Sequence, residues 1–303
     1  MDPSNPYYRQ VQLLVQLLPL VAHEEIFALK GGTAINLFVR DFPRLSVDID
    51  LVYLPDDGWD AALKATREAL DRLSANIAGT FGARVTRSYL NKPDALRLVV
   101  ERDGVAVKIE LSPVLRGTVY QPERRSVVPA VEEQFGFVEM PVVAFEDLYA
   151  GKICAALDRQ HPRDLFDVML LLANEGLTEK LKKALLVYLV SHKRPLEELL
   201  APRFNELRDL YAGEFQGMTL TDVPLADLEA TRVRLIETIQ AALNADDKAF
   251  LCSIYTPEPN GTLLGLDDAM RLPAVRWKLQ NVADMPNPRR EAALQQLRAV
   301  LGV

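Results

Sequence analysis

The sequence predicts an α+β fold, with a core that mixes helices and strands over residues 1–144 and a mainly helical lobe over residues 145–303. Four segments between residues 47 and 114 alternate apolar and polar residues with the period of two that strands show. After residue 145, apolar residues recur every three or four positions, which is the period of a helix that packs one face. The change of period places the boundary between the two parts after residue 144.

Composition indicates a folded protein of the cytoplasm. Hydrophobic residues make up 49% and charged residues 25% of the 303 positions, as in globular proteins. The first ten residues, MDPSNPYYRQ, lack the basic patch and apolar core of a signal peptide, and no apolar run reaches the roughly 18 residues of a membrane span. We therefore expect a cytoplasmic location and no membrane partner.

Charge and cysteine content narrow the classes of function. A formal net charge of −7 gives no overall attraction to nucleic acid, so an RNA partner would need a local basic surface. The two cysteines, Cys154 and Cys252, are too far apart to suggest a disulfide framework or a zinc site. The three histidines form no constellation for Ser–His–Asp hydrolysis.

The first half contains two predicted helices with a glycine pair between them, followed by a strand. Residues 8–18 have helical periodicity up to Pro19, and a short helix is predicted over Thr33–Val39, directly after Gly31 and Gly32. A turn over residues 40–46 leads into a strand over residues 47–54.

The rest of the first half is predicted as one long helix and three strands. The helix covers residues 59–79 and ends at Gly79. The strands cover residues 83–90, 95–102 and 105–114, and the turn Arg102–Asp103–Gly104 joins the last two as a hairpin.

The second half begins with three predicted helices, over residues 145–160, 163–176 and 178–192. Eight prolines punctuate the chain from Pro195 onward, so the helices there are predicted to be short.

Asp48 and Asp50 are unusual in a strand that is otherwise apolar. Residues i and i+2 of a strand point to the same face, so the two carboxylates project together, away from Val47, Ile49 and Leu51. Two adjacent anions repel each other unless a cation neutralises them, and paired carboxylates are typical ligands of Mg²⁺. The alternative is an edge strand with solvated aspartates.

Two further features of the core allow a functional and a structural interpretation. Gly31 and Gly32 would let backbone N–H groups approach a phosphate, with Thr33 adding a hydroxyl, or they form a plain turn. Glu110 shares a strand face with Lys108 and could complete a metal triad, or the two form a surface pair.

The order of these motifs resembles a known family. The segments GGTAINLF, RLSVDIDL, KIEL and AGKICAALDRQHPRDLFDV, spread over residues 30–168, are similar to those of the AbiEii-type nucleotidyltransferases, the enzymatic halves of abortive-infection toxin–antitoxin pairs that include the MenT toxins. Order, spacing and element context agree across about half of the chain.

The resemblance implies a polymerase-β-like nucleotidyltransferase core, with a helical lobe that completes the active site. It implies that Asp48 and Asp50 bind Mg²⁺ or Mn²⁺, with Glu110 as a third ligand whose participation differs among branches of the family. It also implies a further set of catalytic and nucleotide-binding residues: Gly31, Gly32 and Thr33 on the phosphates, Arg44 and Ser46 in the R-x-S-x-D-x-D lead-in, Lys152 on the nucleotide and Asp167 in the active site.

Three of these residues also have structural interpretations. Lys152 lies among small and apolar neighbours, where its ammonium needs an anion unless it reaches solvent from the helix flank. Asp167 and Asp164, one turn apart, could instead cap a helix N-terminus, and Asp164 fits that role better. Ser46 could orient the nucleotide or serve as a turn hydroxyl.

The resemblance further implies transfer of a nucleoside monophosphate from a nucleoside triphosphate to RNA. The favoured acceptor is the 3′ end of tRNA, whose modification would block translation, and the expected protein partner is a cognate antitoxin. The same core also modifies proteins and small molecules, which stay open as acceptors. A catalytically idle module that only binds nucleotide or RNA is the alternative outside the enzymes.

Overall fold

A seven-stranded mixed sheet organises the first of two units in this computed structural model, which describes residues 7–92 and 94–303. This unit holds the described residues up to Ala144 together with Gly217–Thr221, and the second holds Phe145–Gln216 and Asp222–Val303. The strands are β1 (Phe27–Lys30), β2 (Asp48–Tyr53), β3 (Arg84–Arg87), β4 (Arg97–Arg102), β5 (Val105–Leu111), β6 (Glu123–Ser126) and β7 (Glu139–Val142). The predicted α+β class is confirmed.

Strand order in the sheet is β3-β4-β5-β2-β1-β7-β6. β2 runs parallel to β5 and antiparallel to β1, so Asp50 lies opposite Glu110 on one side and Lys30 on the other. The predicted hairpin is confirmed, because β4 and β5 pair from Arg102 and Val105 onward. Asp103 and Gly104 at its turn have φ values of 50° and 75°, as a two-residue hairpin turn requires.

Four helices accompany the sheet: α1 (Tyr8–Ala22), α2 (Gly31–Ala34), α3 (Trp59–Phe81) and α4 (Pro129–Phe135). α1 packs against β5 and β7, and α3 contacts α1, β3 and β4. α2 continues as a π-helix over Ile35–Val39, so the predicted helix after the glycine pair is confirmed and begins at Gly31.

Two predicted helix ends were wrong. α1 does not stop before Pro19 but continues to Ala22, because Leu17, Leu18 and Val21 are buried and hold the last turn in place. The lost backbone hydrogen bond at Pro19 is therefore outweighed by packing. α3 passes through Gly79 and ends at Gly82, whose φ of 62° is the left-handed conformation of a helix C-cap.

The predicted strands are confirmed with shorter bounds, but the sequence did not reveal β1, β6 and β7. Each of these is only four residues long. β6, with the sequence ERRS, is polar at every position and lies at the sheet edge, so it shows no alternation. β7 contains Pro141, which ordinarily argues against a strand.

The second unit is helical. Its helices are α5 (Phe145–Asp158), α6 (Pro162–Asn174), α7 (Glu179–Ser191), α8 (Leu196–Leu200), α9 (Arg208–Glu214), α10 (Leu225–Ala242), α11 (Ala245–Ser253), α12 (Pro273–Ala283) and α13 (Asn287–Leu301). The three helices predicted over residues 145–192 are confirmed as α5, α6 and α7. α5 packs against both α6 and α7.

The prediction of short helices near the C-terminus was wrong for α10 and α13, which have 18 and 15 residues. Pro224 and Pro286 are the N-cap residues of these helices, and Pro273 occupies the first turn of α12. Proline at a helix start loses no hydrogen bond, so these prolines begin helices rather than interrupt them. None of the helices in the described part of the chain is long and apolar enough to cross a membrane.

Candidate active site

Strand β2 places Asp48 and Asp50 on one face of the sheet, as the sequence predicts. Both carboxylates are half-buried, whereas Ile49 and Leu51 on the other face are fully buried. The apolar face thus fixes the register of the strand, because a shift by one residue would bury both carboxylates. The neighbouring strand β5 sets Lys108 opposite Asp48 and Glu110 opposite Asp50.

The backbone at Gly31 lies against the Asp50 carboxylate. Gly31 follows β1 with φ of +75°, and a Cβ at this position would overlap Oδ2 of Asp50. Gly32 is similarly enclosed, because a Cβ there would lie 2.8 Å from Nη2 of Arg44 and 2.9 Å from Oγ of Ser46. Both positions therefore require glycine for close approach, which a plain surface turn would not.

Thr33 and Ser46 connect this glycine segment to β2. Oγ1 of Thr33 lies 2.5 Å from the carbonyl oxygen of Asp48 and 3.0 Å from Oγ of Ser46. A carbonyl only accepts, so the single hydroxyl proton of Thr33 points to Asp48, and Ser46 donates to Thr33. The Thr33 hydroxyl is thereby used to hold the backbone of Asp48, and Ser46 is only 6% exposed.

Arg44 is buried within the same unit, although arginine is usually exposed. Its Nη1 donates to the carbonyl oxygen of Leu45 at 2.8 Å. The backbone of this lead-in is also paired with a distant segment, since Arg44 forms an isolated bridge with Thr219 and the Leu45 N–H donates to Met218 at 2.8 Å. No sequence pattern predicts this pairing, because it joins residues more than 170 positions apart.

Glu110 lies beside Asp50 but its carboxylate is paired with Arg97, whose Nε is 2.5 Å from Oε1. Within residues 7–92 and 94–303, no group of three or more Asp, Glu, His or Cys side chains lies close enough to hold a metal ion. The donor set of Asp48 and Asp50 still fits a hard divalent cation, because Mg²⁺ is commonly held by one or two carboxylates together with phosphate oxygens. A third carboxylate at Glu110 stays a prediction.

A second set of predicted residues lies in the helical unit, at the junction of α5 and α6. Nζ of Lys152 is 2.8 Å from Oδ1 of Asp164 and 3.1 Å from Oδ2 of Asp167. Both carboxylates are 0% exposed and Lys152 is 7% exposed. The ammonium therefore does not reach solvent along the helix flank, and two of its three donors are directed at buried carboxylates.

Arg159, whose side chain is exposed, contacts this buried cluster from the surface. Its Nε and Nη2 lie 2.6 Å from Oδ2 and 3.0 Å from Oδ1 of Asp164, a bidentate contact. Burial raises the pKa of the Asp164 carboxyl, but the charge of Lys152 and the contact with Arg159 outweigh it and hold this pKa well below its usual range. Asp164 is thus an anion between two cations in the folded protein.

The interpretation of Asp164 as a helix cap was wrong, although Asp164 does lie in the first turn of α6, where its charge complements the helix N-terminus. The N-cap of α6 is His161, whose Nδ1 accepts a hydrogen bond from the Arg163 backbone N–H at 3.1 Å. Nε2 of His161 lies 3.0 Å from the carboxylate of Glu214, and burial lowers the pKa of this imidazole. Asp164 is left to bind Lys152 and Arg159.

Sequence reasoning missed that Asp164 and Arg159 belong to the Lys152 cluster. A usable signal was present, because only Arg159–His161 separate α5 from α6. Helices joined by so short a connection are usually packed neighbours, which brings the end of α5 to the start of α6.

Comparison with known proteins identifies the family of the chain and solved structures with a similar fold. Residues 12–281 match the family described as nucleotidyl transferase AbiEii toxin, type IV TA system. No curated protein matches the chain significantly.

One similar solved structure is MenT4, nucleotidyltransferase toxin Rv2826c from Mycobacterium tuberculosis H37Rv. The similarity covers 91% of this chain and 93% of that one, with a TM-score of 0.62 and 16% sequence identity. At this identity the likeness shows a shared fold. The family match over most of the chain establishes membership, and the protein belongs to the AbiEii nucleotidyltransferase toxins of type IV toxin–antitoxin systems.

Proposed function

We propose that this toxin nucleotidyltransferase transfers a nucleoside monophosphate from a nucleoside triphosphate to the 3′ end of RNA, with tRNA as the acceptor. The observation that carries the proposal is the pair Asp48 and Asp50 on one strand face, with the backbone of Gly31 held against the Asp50 carboxylate. In the reaction, an acceptor hydroxyl oxygen bonds to the α-phosphorus, the bond to the β-phosphate oxygen breaks, and pyrophosphate leaves.

We propose that Asp48 and Asp50 bind Mg²⁺ or Mn²⁺ and that Glu110 is a third ligand of the metal. A bound divalent ion neutralises charge on the phosphates and on the leaving pyrophosphate. Glu110 could join the two aspartates only by exchanging its contact with Arg97, which is 2.5 Å long. Its contribution is therefore expected to be smaller.

The glycine segment is the proposed triphosphate contact. Gly31 and Gly32 have no side chains, so a phosphate could closely approach the backbone N–H groups of Gly31, Gly32 and Thr33. The Thr33 hydroxyl and Ser46 act indirectly in this proposal, since they fix the backbone of Asp48 by hydrogen bonds of 2.5 and 3.0 Å. Arg44 supports the same segment from its buried position.

Lys152 and Asp167 are proposed to take part in the same reaction, as the family resemblance implies. One Lys152 donor is not accounted for by its contacts with Asp164 and Asp167, and this donor could bind a phosphate oxygen. Asp164 and Arg159 would then hold the Lys152 ammonium in position, so that little side-chain entropy is lost when the nucleotide binds.

The proposed consequence is a block of translation, because a tRNA with an altered 3′ end cannot be charged with its amino acid. A cognate antitoxin is the expected partner, since the family belongs to toxin–antitoxin systems. The preferred triphosphate is left to experiment.

The test is to incubate the protein with each of the four nucleoside triphosphates and total RNA, and then to sequence RNA 3′ ends. We expect added nucleotides on tRNA with the wild type, and none with Asp48→Asn or in excess EDTA. Parallel incubations contain labelled triphosphate with total protein or with metabolites. If label enters one of these acceptors and the RNA ends stay unchanged, that acceptor replaces RNA in the proposal. Toxicity that persists undiminished in Asp48→Asn would indicate a module that acts by binding alone.

A further inference from the structure

The loop between α8 and α9 presents an exposed aromatic side chain. Residues 201–206 form no regular structure, and Phe204 within them is 49% exposed. An exposed phenyl ring loses the hydrophobic stabilisation that burial would give. Its immediate surroundings show that this position is fixed rather than loose.

Gln160 clamps the backbone on both sides of Phe204. Its Nε2 donates to the carbonyl oxygen of Arg203 at 2.7 Å, and its Oε1 accepts from the backbone N–H of Asn205 at 3.1 Å. Gln160 is itself 2% exposed and has φ of 52°, an uncommon conformation for a residue other than glycine. Both the NH₂ group and the carbonyl oxygen of the buried Gln160 amide therefore form hydrogen bonds with the backbone of this loop.

Arg232 supports the Phe204 ring from one side. Its Cζ lies 4.4 Å from the ring centroid, within the range of a cation–π contact. Nη1 of Arg232 also donates to the carbonyl oxygen of Asn205 at 2.7 Å, which fixes the guanidinium relative to the loop. Phe204 as a residue remains 49% exposed with Arg232 beside its ring, so a second flat group has access to this side chain.

The same segment carries unpaired positive charge. Arg203 and Arg208 are exposed, and neither has an ion-pair partner among the described residues. The nearby Glu206 directs Oε1 to the backbone N–H groups of Leu207 and Arg208, at 3.1 and 3.2 Å. Glu206 and the exposed Asp209 equal Arg203 and Arg208 in number, so residues 203–209 carry no net charge. Arg232, beside the Phe204 ring, adds one further positive charge, and single cationic groups of this kind can contact the phosphates of a polyanion.

We propose that Phe204, supported by Arg232, is a stacking platform for a nucleobase, with Arg203 and Arg208 binding the attached phosphates. Single-stranded nucleic acid is bound in this way, by aromatic side chains beside a basic track. The guanidinium groups of Arg203 and Arg208 could bind phosphates on two sides of the stacked base. An RNA strand has phosphates on both sides of a nucleotide and a free triphosphate does not, so RNA is the favoured ligand. The inference rests on the proposed function and names a contact of its acceptor.

The position of the platform agrees with this role. Gln160, which clamps the loop, is the residue next to Arg159, which binds Asp164 in the Lys152 cluster. The platform and the Lys152 cluster are therefore anchored to the same short connection between α5 and α6.

The test measures binding of a fluorescently labelled single-stranded RNA oligonucleotide to the full chain by anisotropy, without triphosphate. Stacking of one base predicts that Phe204→Ala and Phe204→Leu each weaken binding about tenfold or more, whereas Phe204→Trp retains it. Phe137→Ala is the matched control, since Phe137 is 60% exposed and lies in the other unit. Gln160→Gly keeps the positive φ but releases the loop, and should weaken binding as well.

Unchanged RNA affinity in Phe204→Ala, or wild-type affinity in Phe204→Leu, would overturn the platform. A raised KM for triphosphate with unchanged RNA affinity would assign the base to the triphosphate and overturn the acceptor contact. If Phe204→Ala loses binding of a protein partner but keeps its RNA affinity, the acceptor contact is overturned as well. These outcomes are separate from failure of the proposed function, which shows as unmodified RNA 3′ ends with the wild-type protein.

Discussion

Gly31 is the residue at which backbone conformation and chemistry are most tightly joined. Its φ of +75° and the overlap of any Cβ with Asp50 mean that a side chain would strain the backbone and displace the carboxylate. Gly31→Ala should cost about 1–3 kcal/mol of stability and lower transfer at least tenfold. Gly79→Ala is the control, because nothing lies within 4 Å of its Cβ.

The control substitution Gly79→Ala should raise the free energy of unfolding by up to about 1 kcal/mol, because Gly79 lies at an exposed position inside α3 and alanine favours the helix more than glycine does. It should leave transfer unchanged. Thermal unfolding and initial transfer rates measure both effects. If Gly31→Ala is as stable and active as Gly79→Ala, the close approach to Asp50 has no role.

The two aspartates and Glu110 should differ in their effect on catalysis. Asp50→Asn removes a charge from the proposed metal site and should lower transfer by roughly a hundredfold, with a higher Mg²⁺ requirement. Glu110→Gln should cost less, because the Glu110 carboxylate is already paired with Arg97 and both side chains are partly exposed. Magnesium titrations of both variants measure this, and equal losses would make Glu110 a full ligand.

At the residue scale, the sequence predicted the pair Asp48 and Asp50 because strand parity depends only on spacing. It did not predict the partner of Glu110, since Arg97 lies on a different strand and their pairing depends on register. The sequence also did not predict the hydrogen bond from the Thr33 hydroxyl to the carbonyl oxygen of Asp48. A threonine hydroxyl can bind either a phosphate or a protein group, and only the distances in the structure distinguish the two.

The helix pair α5–α6 is held by the buried charges of Lys152, Asp164 and Asp167 and by the exposed Arg159. Lys152→Ala leaves two buried carboxylates with less compensation, so it should destabilise the protein by about 3–5 kcal/mol. Adding Asp164→Asn removes one negative charge and should recover part of that stability. Transfer should stay low in the double variant if Lys152 also contacts phosphate.

Urea unfolding and transfer rates separate the two roles of Lys152. Recovery of transfer together with stability in the double variant would show that Lys152 is structural. The comparison is informative because a low activity in Lys152→Ala alone could arise from unfolding.

The same helix pair should make stability depend on acid. The pKa of Asp164 is lowered in the folded protein despite its burial, because Lys152 and Arg159 favour the anion. The unfolded chain takes up this proton near pH 4, before the folded one does, so the stabilisation is present above pH 4 and is lost as the pH falls below it.

Asp164→Asn lacks this proton uptake, and its stability should fall less steeply below pH 4. For one proton the difference in slope is up to about 1.4 kcal/mol per pH unit. Urea unfolding at pH 5, 4 and 3 measures it, and parallel curves for the two proteins would contradict the ionised state of Asp164.

At the element scale, strongly periodic helices were predictable and proline-rich segments were not. α6 buries one regular face, and α5 and α7 bury most of their residues, so all three contain recurring apolar residues that a sequence displays directly. Proline has opposite meanings at a helix start and in its interior, so α10 and α13 could not be read from proline positions alone. Packing of Val21 likewise carried α1 past Pro19.

The molecule as a whole divides its candidate residues between two units. The unit with the sheet carries Asp48, Asp50 and the glycine segment, and the helical unit carries Lys152 and Asp167. We propose that one reaction uses both sets. Substitutions in either unit are therefore expected to affect the same transfer step.

The central claim is that the chain moves a nucleoside monophosphate, and the position of the label in the triphosphate tests it most directly. RNA is incubated with the protein, Mg²⁺ and a triphosphate labelled at either the α- or the γ-phosphate. The account predicts that α-label enters RNA, that γ-label is released as pyrophosphate, and that Asp48→Asn transfers neither. Incorporation of γ-label into the acceptor, or equal α-label incorporation by Asp48→Asn, would contradict it.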